Sequence, residues 1–202
     1  MVERLRVGVF IYDSVNILEV AGSFDVLSEA AMPSHEPDRP PIKLFNVFTF
    51  SEKIDVLETS NGLLVTPDYD LESVPVIDVL ILPGGPGAKR ITQDSPIVRY
   101  IQDFYDEMEL VGTVSTGARI FGLTGLANER RMTTSKEYLE EFSKEFPEIK
   151  VVSGFRYLDD DTVVSSSGPS SSIDLGLYII YKLFGIEAVN YTSEKIDYVF
   201  TP

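Results

Sequence analysis

The chain has 202 residues, 44% hydrophobic and 24% charged, which is ordinary globular usage and enough length for one well-buried core. With 32 acidic against 17 basic residues its formal net charge is −15, a field that repels phosphate backbones and anionic lipid surfaces and argues against nucleic-acid or membrane partners. There is no cysteine, which excludes disulfides, thiolate metal sites and thiol chemistry.

The first six residues lead directly into an apolar run that is too short and wrongly flanked for a signal peptide. No segment reaches the roughly 18 apolar residues of a membrane span, so one cytoplasmic domain over residues 1–202 is expected. Val7 to Tyr12 predicts a strand, and Ile17 to Ala31, with Leu18, Phe24, Leu27 and Ala31 at helical spacing, predicts a helix. Four prolines between Met32 and Pro41 exclude regular structure there, and Ile42 to Phe50 reads as a buried strand. Asn61-Gly62, between Val56-Leu57 and Leu63–Val65, predicts a small hairpin closed by a type I′ turn.

Val76 to Leu82 predicts a strand buried on both faces and ending in Pro83-Gly-Gly-Pro-Gly87. Ser95-Pro96 supplies an N-cap and a first-turn proline for a helix with Ile97, Ile101, Phe104 and Met108 on its apolar face. Leu110 to Val114 is the next strand, followed by a break at Ser115-Thr-Gly117 and a helix over Ala118 to Leu123. Thr134 to Glu137 fits a capping box before a helix that places Tyr138, Phe142 and Phe146 together. Val151-Val152, Phe155–Leu158 and Thr162–Ser165 read as short strands, and Ser171 to Asp174 as a second capping box opening an apolar helix to Phe184.

Strands alternating with helices at this spacing predict an α/β fold, a three-layer α/β/α sandwich with a flavodoxin-like, mostly parallel sheet and the small hairpin as an excursion. Ligands of such sheets bind beyond the C-terminal ends of the strands, where Asp13–Glu19, Pro83–Gly87 and Ser115–Gly117 fall.

Four features could carry chemistry. Ser115, between a strand and a helix, fits either an N-cap or the apex of a nucleophile elbow, whose second glycine is Gly117 while Thr113 stands at the first. Pro83–Gly87 is either a plain turn or a backbone cradle in which Gly84, Gly85 and the amide of Thr116 form an oxyanion hole. Glu19, flanked by apolar residues, is either a paired structural carboxylate or a general acid/base of raised pKa. His35, the one histidine, lies in the proline-rich loop and reads as solvated, as does the acidic turn Asp159–Asp161, which lacks the spacing of a calcium loop.

Taken in order, Ile17-Leu-Glu-Val-Ala-Gly22, Phe24-Asp-Val-Leu27, Ile81-Leu-Pro-Gly-Gly-Pro-Gly87, Val114-Ser-Thr-Gly117, Gly122-Leu-Thr-Gly-Leu126, Arg131-Met-Thr-Thr134, Ser167-Gly168 and Ser172-Ile-Asp174 resemble the ThiJ/PfpI superfamily, nearest its isonitrile hydratase-like branch. The resemblance implies a nucleophilic cysteine at the elbow, where this chain has Ser115, an acidic partner at Glu19, an oxyanion hole at Gly85 and Thr116, and a catalytic contribution from Thr116. Ser135 stands where many relatives have a histidine. A serine hydroxyl needs an adjacent base, and Glu19 is the residue available for it. The resemblance implies an isonitrile hydratase-like or amidase-like enzyme of a small molecule, without metal or cofactor and commonly a homodimer. The competing expectation is a degenerate member that binds a small metabolite or a partner as a sensor.

Overall fold

A computed structural model describes residues 4–34, 36 and 38–201, and His35 lies outside them. Seven strands, β1 (Leu5–Phe10), β2 (Phe45–Ser51), β3 (Tyr69–Asp70), β4 (Val79–Leu82), β5 (Leu110–Val114), β6 (Tyr157–Asp160) and β7 (Val163–Ser166), form one sheet. Their order is β6-β7-β5-β4-β1-β2-β3, and all neighbours are parallel except β6 with β7. Every residue of β4, β5 and β7 is buried, as strands covered on both faces must be.

The helices are α1 (Ile17–Glu29), α2 (Pro96–Phe104), α3 (Gly117–Gly122), α4 (Leu139–Glu145) and α5 (Ser171–Lys195). From β1 the chain moves first to β2 on one side and later to β4 on the other. Right-handed crossovers in opposite directions put α1 on one face of the sheet and α2 and α3 on the other. α5 returns to the face of α1: Gly22 lies against Ser172, Gly176 against Val26, and Leu175 and Ile179 cover Gly112 of β5. This is the expected three-layer, mostly parallel α/β architecture, and its reversal of strand order lies between β1 and β4.

Several local expectations are corrected. The helix expected to run to Ala31 stops at Glu29, and Ala31–Met32 pairs antiparallel with Ile42–Lys43, so the proline-rich loop is closed at its base and the strand expected from Ile42 begins anew at Phe45. The hairpin Leu57–Glu58 with Leu64–Val65 forms, but its turn is not type I′. Gly62 has φ 86 while Asn61 is not left-handed, and Gly62 N–H donates to Thr59 O at 3.0 Å, the pattern of a type I turn followed by a left-handed glycine.

Neither capping box exists. Thr134 donates its hydroxyl to the carbonyl of Ser115 at 2.7 Å instead of capping α4, and Ser171 bonds back to Gly168 while Asp174 pairs with Arg156. Ser95 precedes α2 as expected, yet its Oγ accepts from Thr92 N–H rather than from the helix. α5 continues past Phe184 to Lys195 through a break at Gly185, φ 83. The acidic turn is tied into ion pairs, Asp159 with Lys182 and Asp160 with Arg131, rather than simply solvated. Among the described residues no helix is long and apolar enough to cross a membrane.

Candidate functional site

The C-terminal ends of β1, β4 and β5 converge at the reversal point, and the three segments singled out in the sequence meet there. β5 delivers Ser115 at φ 51, a left-handed conformation that costs a non-glycine residue on the order of 1 kcal/mol. The surroundings hold it there: Ser115 N–H donates to Ser166 O at 2.9 Å, and its carbonyl accepts from Thr134 Oγ1 at 2.7 Å and from Ala118 N–H at 3.2 Å. α3 then starts at Gly117 with Thr116 as its N-cap, so Ser115 is not the helix cap; it is the bend itself. A Cβ on Gly117 would lie 1.9 Å from the carbonyl oxygen of Leu82, so this glycine lets the elbow pack directly on the end of β4.

Glu19 lies in the first turn of α1, just inside the helix rather than in the preceding connection. Asn16 caps this helix through its side-chain oxygen, which accepts from Leu18 N–H at 3.1 Å. The carboxyl of Glu19 is 1% exposed. Its Oε2 accepts from Gly84 N–H at 2.5 Å, and the Ser115 hydroxyl is close enough to pull its pKa down. Burial raises its pKa from 4.5 to about 7, against the opposing pull of the Gly84 N–H and the Ser115 hydroxyl.

The glycine cradle forms, but with its donors already engaged. Gly84 N–H is bound to Glu19, and Gly85 N–H donates to Thr116 Oγ1 at 2.9 Å while that hydroxyl donates back to Gly85 O at 3.2 Å. Among the described residues Thr116 N–H makes no hydrogen bond. Of the three backbone groups expected to face a developing oxyanion, only that of Thr116 is therefore open in this arrangement. A Cβ on Gly84 would stand 2.6 Å from Thr116 Oγ1 and 2.8 Å from Glu19 Oε2, so a side chain there would displace both.

Two contributors escaped sequence reasoning. Thr134, read as a helix cap, fastens the elbow; its membership of the Arg131–Thr134 motif was the available signal. Tyr12, 8% exposed and two residues beyond β1, where the strand expected to reach it has already ended at Phe10, donates its hydroxyl to Pro83 O at 2.8 Å and so braces the cradle. Burial and the negative charge of Glu19 raise its pKa well above the usual phenol value. Its one signal is its place at the end of the apolar run Val7 to Tyr12.

The chain is 24% identical over 198 residues to isonitrile hydratase of Pseudomonas putida, an alignment covering 98% of this chain and 80% of that protein. It is 27% identical over 143 residues to glutathione-independent glyoxalase DJR-1.2 of Caenorhabditis elegans, covering 66% of this chain and 71% of that protein. It is also 24% identical to the HTH-type transcriptional regulator GbdR of Pseudomonas aeruginosa, with 95% of this chain matching half of that protein's length. Among solved structures, Drosophila melanogaster DJ-1beta superposes with a TM-score of 0.80 at 18% identity, over 98% of this chain and all of that one. A THiJ/PfpI family protein from Pseudomonas syringae superposes with a TM-score of 0.83 at 16% identity, over 99% and 77% of the two chains. The DJ-1/PfpI family profile itself matches residues 5–182, from the first strand into α5, and the chain belongs to that family.

Proposed function

We propose that this chain is an isonitrile hydratase-like or amidase-like enzyme of a small molecule, in which Glu19 moves the proton and Ser115 occupies the nucleophile's place. One observation carries the reading: Glu19, 1% exposed and with a pKa raised to about 7 by burial, stands beside the hydroxyl at a strained elbow. A group of that pKa is both donor and acceptor near neutral pH, where general acid–base catalysis is most effective. For an isonitrile, protonated Glu19 gives its proton to the terminal carbon of R–N≡C. Water adds its oxygen to that carbon, and the proton released by the water returns to Glu19. Transfer of the hydroxyl proton to nitrogen leaves the formamide R–NH–CHO.

In the covalent variant Ser115 Oγ replaces the water, losing its proton to Glu19, and hydrolysis of the resulting imidate frees the enzyme. In that hydrolysis the oxygen added by water becomes the charged oxygen of a tetrahedral intermediate, which Thr116 N–H supports, and Gly85 N–H joins it once the Thr116 hydroxyl turns away. The test is turnover of a simple alkyl isonitrile, followed as formamide produced. Glu19→Gln keeps the shape but cannot cycle a proton, and it lowers turnover by at least about 100-fold. Turnover equal to that of the unaltered protein sinks the mechanism.

A second reading, a binding module without chemistry, is favoured by a different observation: the N–H groups of Gly84 and Gly85 are already satisfied internally, as in a pocket that binds rather than stabilises an oxyanion. The match to a transcriptional regulator agrees with it. A small molecule that raises the melting temperature yet yields no product on long incubation selects this reading.

A further inference from the structure

Beside the elbow, between the segment before α4 and the approach to β6, lies a cavity of about 700 Å3. Thr133 and Thr134 form its inner wall, both 1% exposed, and Thr134 is the residue that fastens the carbonyl of Ser115. The charged side chains lining it are Lys136 and Arg156, both cationic, in a chain with 32 acidic residues against 17 basic ones. A second cavity, about 360 Å3 at the ends of β1 and β2, has the mixed lining that such a composition leads one to expect: Asp13, Glu52 and Asp55 beside Lys53 and Arg90.

The charge of the larger cavity can be balanced residue by residue. Arg156 Nε lies 3.0 Å from Asp174 Oδ2 and its terminal nitrogen also bonds that oxygen, so this pair is neutral as a unit. Lys136 makes no ion pair among the described residues. One positive charge therefore remains, which suits a monoanion and leaves a phosphate dianion half balanced. The hydroxyls of Thr133 and Ser153 make no hydrogen bond among the described residues, whereas that of Thr134 is spent on Ser115 O and that of Ser167 on Arg156 O. Leu139 and the 51% exposed Phe155 supply an apolar wall that water covers poorly.

We propose that this cavity binds a small organic monocarboxylate, its carboxylate held by Lys136 and the free hydroxyls and its apolar body laid against Phe155 and Leu139. The site is distinct from the reacting atoms and stands whether or not Ser115 and Glu19 perform chemistry. Because Thr134 both lines it and fastens the elbow, the cavity can serve a substrate's remote end or a regulatory ligand.

Isothermal titration with phenylacetate and its neutral analogue phenylacetamide tests the assignment. The acid binds at least about fivefold tighter than the amide at low salt, and the preference shrinks at about 0.3 M NaCl as screening shortens. Lys136→Glu weakens the acid by about tenfold and leaves the amide unchanged, while Lys136→Arg retains the preference. Ser115→Ala binds the acid like the unaltered protein, which separates this site from the catalytic reading. Equal affinity for acid and amide, an unchanged affinity in Lys136→Glu, or no binding of the acid up to about 10 mM overturns the proposal.

Discussion

Replacing Glu19 by glutamine reports on the energetic state of the site through stability alone, without any substrate. In the folded chain burial holds this carboxyl at a pKa of about 7, whereas the unfolded chain restores the ordinary value of 4.5. Between those two values the folded state keeps a proton that the unfolded state has released, so stability falls as pH rises. The contribution is complete below about pH 4.5 and is lost as pH climbs through about 7. At about 1.36 kcal/mol per pH unit, the interval amounts to about 3 kcal/mol, an order-of-magnitude figure for a group only 1% exposed. Glutamine is neutral throughout and presents an oxygen to Gly84 N–H, so the variant lacks this slope.

The assay is urea unfolding of both proteins across that pH range. Their difference removes the other titrating groups, which the two share. The stabilities lie closest near the acidic end of the window, and glutamine becomes the more stable by about 3 kcal/mol at about pH 8. A difference that stays constant with pH, or that turns in favour of Glu19 as the pH rises, shows that the carboxyl is not held neutral by burial, and the proton-transfer argument fails with it.

Two further outcomes probe the elbow. Gly117→Ala puts a methyl group 1.9 Å from Leu82 O, where backbone rather than a flexible side chain must yield, and it destabilises the protein by about 3 kcal/mol or more in the same urea assay; a loss under about 1 kcal/mol means that the elbow and β4 are not in direct contact. Ser115→Cys introduces the chain's one thiol at a bend that is 7% exposed and held in place by Ser166 and Thr134, so iodoacetamide alkylates it in the native protein and a protecting isonitrile slows the reaction; a thiol that reacts only after unfolding shows that position 115 is closed to small molecules.

What the sequence made legible follows from short-range physics. β-branched and apolar runs at Val79–Leu82 and Leu110–Val114 have no other way to bury both faces than as inner strands of a parallel sheet. The proline- and glycine-rich breaks after them mark the strand ends at which ligands bind. Ser115, Gly84, Gly85 and Thr116 fall at these breaks, Glu19 stands out as an acid among apolar residues after the first strand, and the five are contiguous in space.

The errors cluster where a local pattern has a distant competitor. Thr134 and Ser171 carry the residue spacing of capping boxes, but each hydroxyl has a better-placed carbonyl, at Ser115 and at Gly168. The edge strand Tyr69–Asp70 has only two residues and exists because β2 offers an unpaired edge to it.

The layer architecture, the three loops of the candidate site and the hydroxyl at the elbow are legible in the sequence, because each is written in residues close together along the chain. The raised pKa of Glu19, the occupation of the Gly84 and Gly85 N–H groups and the cationic lining of the cavity beside Thr134 arise only once the chain is folded. Those depend on burial and on hydrogen bonds between residues 19 and 84, 85 and 116, and 115 and 134. Such partners lie 19 to 65 residues apart, and their meeting is a consequence of strand order rather than of any local pattern.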